Sequence, residues 1–131
     1  MTTTDMTPVT FDGVELGRQL VKSAKNPRHL AVTQALVEER TILAQKNVRR
    51  ALLVEHGGRP RCHWEGLSGR LYQLGLDDAQ RAFLELVLGM VGIGLTTLGA
   101  VELLDQRRLL ILQRAIVTLS GIDTIAVGTR L

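Results

Sequence analysis

Disulfides, aromatic stacking and membrane spans are what this sequence is least equipped to supply. It holds a single cysteine, Cys62, so no intrachain disulfide can form and a disulfide-stapled secreted scaffold is excluded. A reducing cytoplasm is the compartment that fits. Aromatic residues make up only 3% of the chain, so its core must come from Leu, Val, Ile and Ala. The longest run without a charge, residues 86–101, is interrupted by four glycines. It falls short of the roughly 20 apolar residues of a spanning helix and reads as a buried helix followed by a turn. Residues 1–10 are threonine-rich and lack the basic and apolar regions of a secretory signal, so a frayed tail is expected there.

What is present is helix-bundle material. With 131 residues, 45% of them hydrophobic, the chain is long enough to bury one core, and one domain over residues 11–121 is the expectation. Capping chemistry marks the helix starts. Asp12 with Glu15 has capping-box spacing, and a helix over residues 12–25 follows. Asn26-Pro27 joins a good N-cap to a proline at the first helical position, and from there no breaker intervenes until Gly57-Gly58. One long central helix over residues 27–56, about 45 Å long at 1.5 Å per residue, is therefore predicted, with apolar residues on two faces and a glycine cap at its end.

Residues 57–63 read as a loop, and a short helix over residues 64–74 ends at Gly75. Asp77 with Gln80 repeats the capping-box spacing ahead of a buried helix. Gly92-Ile93-Gly94 is expected to turn the chain, with Thr96 or Thr97 capping a last helix that reaches about Leu119 and stops at Gly121. A single continuous helix over residues 77–119 is the alternative. Residues 122–131 read as an extended tail that folds back or lies on a neighbouring subunit. The fold class predicted is all-α, a four- to five-helix bundle.

Catalytic and metal chemistry find little support. His56, Cys62 and His63 cluster in the sequence, but His29 lies a whole helix away from His56 and no Cys-x-x-Cys pair exists, so zinc and other cofactors are not expected. Gly66-Leu67-Ser68-Gly69 lacks the Gly-x-Ser-x-Gly order of a nucleophile elbow. Asp77-Asp78 is better explained by capping and the helix dipole than by acid/base work. Gly89-x-x-Gly92-x-Gly94 lacks the strand and the Lys-Ser/Thr of a phosphate loop, and a turn or a close helix contact is expected. The chain is read as a non-enzyme.

Charge is more informative. The net charge of +3 is unevenly placed, since residues 1–70 carry +4 and residues 71–131 carry −1. Lys46, Arg49 and Arg50 share one helical patch by their i, i+3, i+4 spacing. Arg59, Arg61 and Arg70 follow, and Lys22, Lys25 and Arg28 form a second group at the first helix corner. Arginine dominates, and its planar fork matches phosphate oxygens. A sequence-independent contact with a nucleic-acid backbone, RNA or single-stranded DNA, is the function these nine residues suggest. With so few aromatics among them, base stacking is not the expected mode. The alternative is a protein-interaction or self-assembly module, for which the same residues are an ordinary solvated surface.

Size, helical pattern and an arginine-bearing long helix together resemble the small helical subunits of multi-subunit CRISPR effector complexes. That resemblance implies a non-catalytic cytoplasmic subunit of a ribonucleoprotein in antiviral defence, stacked against other subunits including copies of itself and touching the backbone of a guide or target strand. Trp64-Glu65-Gly66 is also similar to the Trp-x-Gly spelling of small secreted helical-hairpin proteins, from which the chain departs in length and in its very apolar final third.

Overall fold

The computed structural model describes residues 12–130. The tail expected over residues 1–10 lies outside them. The architecture is mostly helical with one small two-stranded sheet. Helix α1 (Gly13–Lys22) leads into α2 (Pro27–Glu39) and α3 (Lys46–Leu52), and a hairpin of β1 (Leu53–His56) and β2 (Arg59–Cys62) follows. Two 3-10 turns, Trp64–Leu67 and Leu71–Gln73, precede α4 (Asp78–Met90). A third, Leu98–Leu103, precedes α5 (Gln106–Ser120).

Several helix boundaries obey the capping rules read from the sequence. Asp12 accepts from the Glu15 N–H at 3.1 Å and Asn26 from the His29 N–H at 2.9 Å. At α4 the capping box is complete, with Asp77 accepting from the Gln80 N–H at 2.8 Å and Gln80 from the Asp77 N–H at 3.0 Å. Gly92 closes α4 in a Schellman motif, in which the Ile93 N–H reaches the Leu88 carbonyl at 3.0 Å and the Gly92 N–H the Gly89 carbonyl at 3.2 Å. The glycine triplet is thus a turn. Gly121 caps α5 in the left-handed region.

The long central helix over residues 27–56 is corrected. Helix α2 ends at Glu39, Arg40 takes φ 71°, and the Thr41 N–H reaches back to the Glu39 carbonyl at 2.8 Å, which makes a positive-φ γ-turn. Such a conformation is unfavourable for a residue with a Cβ and persists only when its surroundings over-determine it. They do so here. The Glu39 side chain is fully buried and accepts from the Ile42 N–H at 2.8 Å, from the Thr41 hydroxyl, and from Arg108 Nε at 2.9 Å. Arg107 donates to the Glu39 carbonyl at 2.8 Å, and the Gln80 amide donates to the Thr41 hydroxyl at 3.0 Å. One buried carboxylate therefore joins α2 to α5, with α4 linked to it through the Thr41 hydroxyl, and turns the chain.

The all-α expectation is corrected too. Gly57 and Gly58, at φ 62° and 78°, form the two-residue turn of a hairpin in place of a helix cap. Its register pairs Leu53 with Cys62 and His56 with Arg59. An isolated hairpin is marginal in water, and this one is supported by α1, against which β2 lies. The helix expected over residues 64–74 resolves into two 3-10 turns separated at Gly69, so Trp64-Glu65-Gly66 opens a turn after a strand and is not a bend between two helices. The last helix starts later than expected, because Asp105 accepts from the Arg108 N–H at 3.3 Å and caps α5 where Thr97 makes no side-chain cap. Residues 77–119 hold two α-helices and a 3-10 turn rather than one helix. In the tail, Gly128, Thr129 and Arg130 border a hollow shared with Gln106, Leu109 and Gln113, so the chain doubles back along the start of α5.

The core is one cluster, with Leu36, Val48, Leu52, Phe83, Val87 and Ile111 among its most enclosed members. Helix α2 is packed by α1, α4 and α5, and α3 by the first 3-10 turn. That last approach is very close: a Cβ on Gly66 would sit 2.0 Å from the Ala51 carbonyl oxygen. Backbone cannot yield as a side chain does. Gly66→Ala is accordingly expected to lower the unfolding free energy by about 2 kcal/mol or more in urea denaturation, the scale of a steric overlap in a packed interior. Arg108→Ala, which takes the nearest cation from the Glu39 carboxylate and leaves it Arg107 at 3.6 Å, is expected to cost about 3 kcal/mol by the same measurement. Removing the exposed Arg114 partner of Glu38 should cost under about 1 kcal/mol.

Candidate nucleic-acid interface

The hairpin places the functional candidates. Because β2 lies along the C-terminal end of α1, the basic residues of the α1–α2 corner and those of β2 face each other across a seam. Ser23, the residue after α1, fastens it: its hydroxyl lies 3.0 Å from the Leu20 carbonyl and 3.3 Å from the Pro60 carbonyl.

Two hollows open along the seam and share Ser23. The first, about 180 Å³, is walled by Ser23, Lys25, His29 and Thr33 on one side and by Arg61, Cys62, His63 and Glu65 on the other. The buried side chains of Leu20 and Trp64 form its inner limit. The second, about 200 Å³, is lined by Glu15, Arg18, Gln19, Lys22, Ser23 and Arg59.

Electrostatically the seam is positive. Arg18, Lys22, Lys25, Arg59 and Arg61 line it against two carboxylates, Glu15 and Glu65. The Arg18 guanidinium and the Gln19 amide hold the Glu15 carboxyl below its ordinary pKa. Glu65 stands 3.7 Å from His63 Nδ1.

Of the nine basic residues singled out in the sequence, the structure brings Lys22, Lys25, Arg59 and Arg61 together. Arg28, Lys46, Arg50 and Arg70 are exposed but line neither hollow. Arg49 is half-buried and donates to the Leu43 carbonyl at 2.8 Å, so part of its guanidinium closes the turn before α3. Sequence reasoning missed Arg18, Ser23, His29 and His63. Arg18 falls four residues before Lys22 on α1, a spacing that marks a shared face. For His29 and His63 the available signal was Gly57-Gly58, which returns residue 63 toward the first helix corner.

Cys62 is half-buried on β2, and its thiol is pushed up to about 12 by burial, against a weaker opposing hydrogen bond with Thr33. The thiolate is the nucleophile and the metal ligand, so this sulfur is unsuited to either role near neutrality. Among the described residues no group of three or more His, Cys, Asp or Glu side chains is arranged to hold a metal ion. Asp77 is occupied as a cap, and Asp78 pairs with Arg81 at 2.7 Å. No helix among the described residues is long and apolar enough to cross a membrane.

Comparisons with protein-family models, with curated proteins and with solved structures find no match to this chain.

The raised thiol yields a direct check. At pH 8 iodoacetamide should alkylate Cys62 in the folded protein about a thousandfold more slowly than in the urea-unfolded chain, the scale of a three-unit rise in an acid that reacts as its anion. Unfolding ionises the thiol at a lower pH than folding permits. Its contribution to stability is therefore complete below pH 9 and is lost as the pH rises toward 12.

Proposed function

We propose that this chain is a non-catalytic helical subunit that holds a nucleic-acid backbone, independently of sequence, within a larger cytoplasmic ribonucleoprotein. The assembly proposed is the multi-subunit CRISPR effector whose small subunits it resembles in size and character. One observation carries the reading: Arg18, Lys22, Lys25, Arg59 and Arg61, from a helix, a corner and a strand, line one continuous seam. Separate surface charges solubilise, whereas guanidinium and ammonium groups converging on a groove raise the local concentration of an anion and track its charges. Exposed aromatics do not line the seam, which favours backbone contact over base stacking.

The second reading is a protein-assembly module, favoured by a different surface. On the segment between α4 and α5 Leu95 is fully and Leu98 largely exposed, and Leu103, Ile122 and Ile125 are about half exposed. Exposed apolar residues of this kind suit contact with another subunit.

Binding of a fluorescent single strand across a salt series separates the two. The strand-binding reading expects a linear fall of log affinity with log salt. For Arg18, Lys22, Arg59 and Arg61 changed to Ala, the slope should fall by about 3, at roughly 0.7 per neutralised phosphate. Absence of salt-dependent binding, alone and in the parent complex, defeats it. The assembly reading expects a discrete oligomer in sedimentation that survives those changes and dissociates with Leu95→Ser and Leu98→Ser.

A further inference from the structure

We propose that the apolar hollow between the start of α1 and the end of α2 takes up residues 5–11 of this same chain, with Asp5 meeting Arg40. The inference is independent of the strand-binding reading, because the residues that line this hollow are not those of the basic seam.

The hollow follows from glycine on one wall and a chain reversal on the other. Gly13 and Gly17 are one turn apart on α1 and share a face. At Gly17 the helix lies directly on α2, where a Cβ would come within 2.7 Å of Val37 Cγ1. Gly13, a turn earlier, likewise has no side chain with which to fill space. Helix α2 stops at Glu39, and the reversal at Arg40 brings Leu43 and Ala44 to the same hollow as Val37. The space left is about 390 Å³, lined by Gly13, Val14, Val37, Arg40, Leu43 and Ala44. Of these six only Arg40 has a polar side chain, and Val14 is 85% exposed. A segment that covers apolar surface of this kind releases the water against it, which favours docking.

The occupant is argued from where the chain leads and from charge. Asp12 is the N-cap of α1 and stands outside the helical range at φ −96° and ψ 88°, so Phe11 is not a continuation of the helix and adjoins the wall formed by Gly13 and Val14. Residues 5–11 read Asp-Met-Thr-Pro-Val-Thr-Phe. Met6, Pro8, Val9 and Phe11 are apolar, and Val9 and Phe11 fall on one side of an extended segment by their i, i+2 spacing. Pro8 disfavours helix at the residue before it, which suits an extended segment. Asp5 is the single ionisable side chain of residues 1–11, and its sign is opposite to that of Arg40. Among the described residues no carboxylate pairs with Arg40. Seven residues separate Asp5 from Asp12, a reach of up to about 23 Å at about 3.3 Å per residue, which is ample for a hollow that begins at Gly13. A second copy or another protein would have to compete with a segment tethered at the hollow's edge, whose effective concentration is on the order of millimolar.

The test is NMR spectroscopy of the full chain with labelled methyl groups and phenylalanine rings. Phe11 and Phe83 are the only phenylalanines, so one substitution assigns both rings. The expected result is nuclear Overhauser contact, within one molecule, from the Phe11 ring to methyl groups of Val37 or Leu43. Phe11→Ser with Val9→Ser should shift those methyl resonances, leave the buried Phe83 ring unmoved and lower the melting temperature by about 5 °C. Asp5→Lys should lower it less, and that effect should vanish in an Arg40→Gln background. Phe11 contacts confined to Leu16, the local staple of a helix start, overturn the proposal, as does an absence of contacts to the hollow. Contacts seen only between differently labelled molecules overturn it in favour of a second copy. An Asp5→Lys effect unchanged in the Arg40→Gln background overturns the charge pair.

Discussion

The fold hinges on the buried carboxylate of Glu39. A charge with no exposed side-chain surface is tolerable only when its lone pairs are filled, and here they are filled by the Ile42 N–H, the Thr41 hydroxyl and the Arg108 guanidinium. Those donors come from the far side of a sharp chain reversal at Arg40 and from a helix 69 residues away. The same network forces Arg40 into a positive φ, ends α2 and redirects the chain into α3. Without that reversal the following residues would extend α2, and the hairpin would not return to α1. The basic seam is therefore a downstream result of a charge pair that lines neither of its hollows.

The residues legible in the sequence are those whose structure is decided by near neighbours. Asp12, Asn26, Asp77 and Gly121 sit at helix ends because a cap is a contact across three or four residues. Glu39 was illegible because its partners are distant in sequence, and a Glu-Glu-Arg stretch without Gly or Pro reads as continuous helix. The hairpin was legible in part. Gly57-Gly58 is a strong two-residue turn signal, but Pro60 argues against a strand, and the conflict resolves because β2 belongs to a two-stranded sheet where a lost donor is tolerated. Asp105, in place of the expected Thr96 or Thr97, is the residue whose side chain caps α5.

The basic residues divide by the same logic. Lys46, Arg49 and Arg50 share a helical patch by spacing, yet Arg49 donates to the Leu43 carbonyl and none of the three lines the seam's hollows. Lys22 and Lys25 are separated from Arg59 and Arg61 by more than 30 residues and meet only because a strand lies along a helix. Spacing identifies neighbours within one element. It is silent about neighbours between elements, where grooves are made.

Both walls of the seam lie within residues 12–65, one contiguous stretch of the chain, whereas Arg107 and Arg108 arrive from the far end. Closing a loop of that length carries an entropic cost that grows only logarithmically with its size, but it delays the contact relative to short-range ones. The hairpin turn and the α1–α2 corner are each closed by near neighbours in sequence, whereas the Glu39–Arg108 pair closes a loop of 69 residues. A ribosome-bound fragment ending before α5 would carry the seam's residues with an unneutralised carboxylate at their hinge, a species whose fate depends on how soon the final helix emerges.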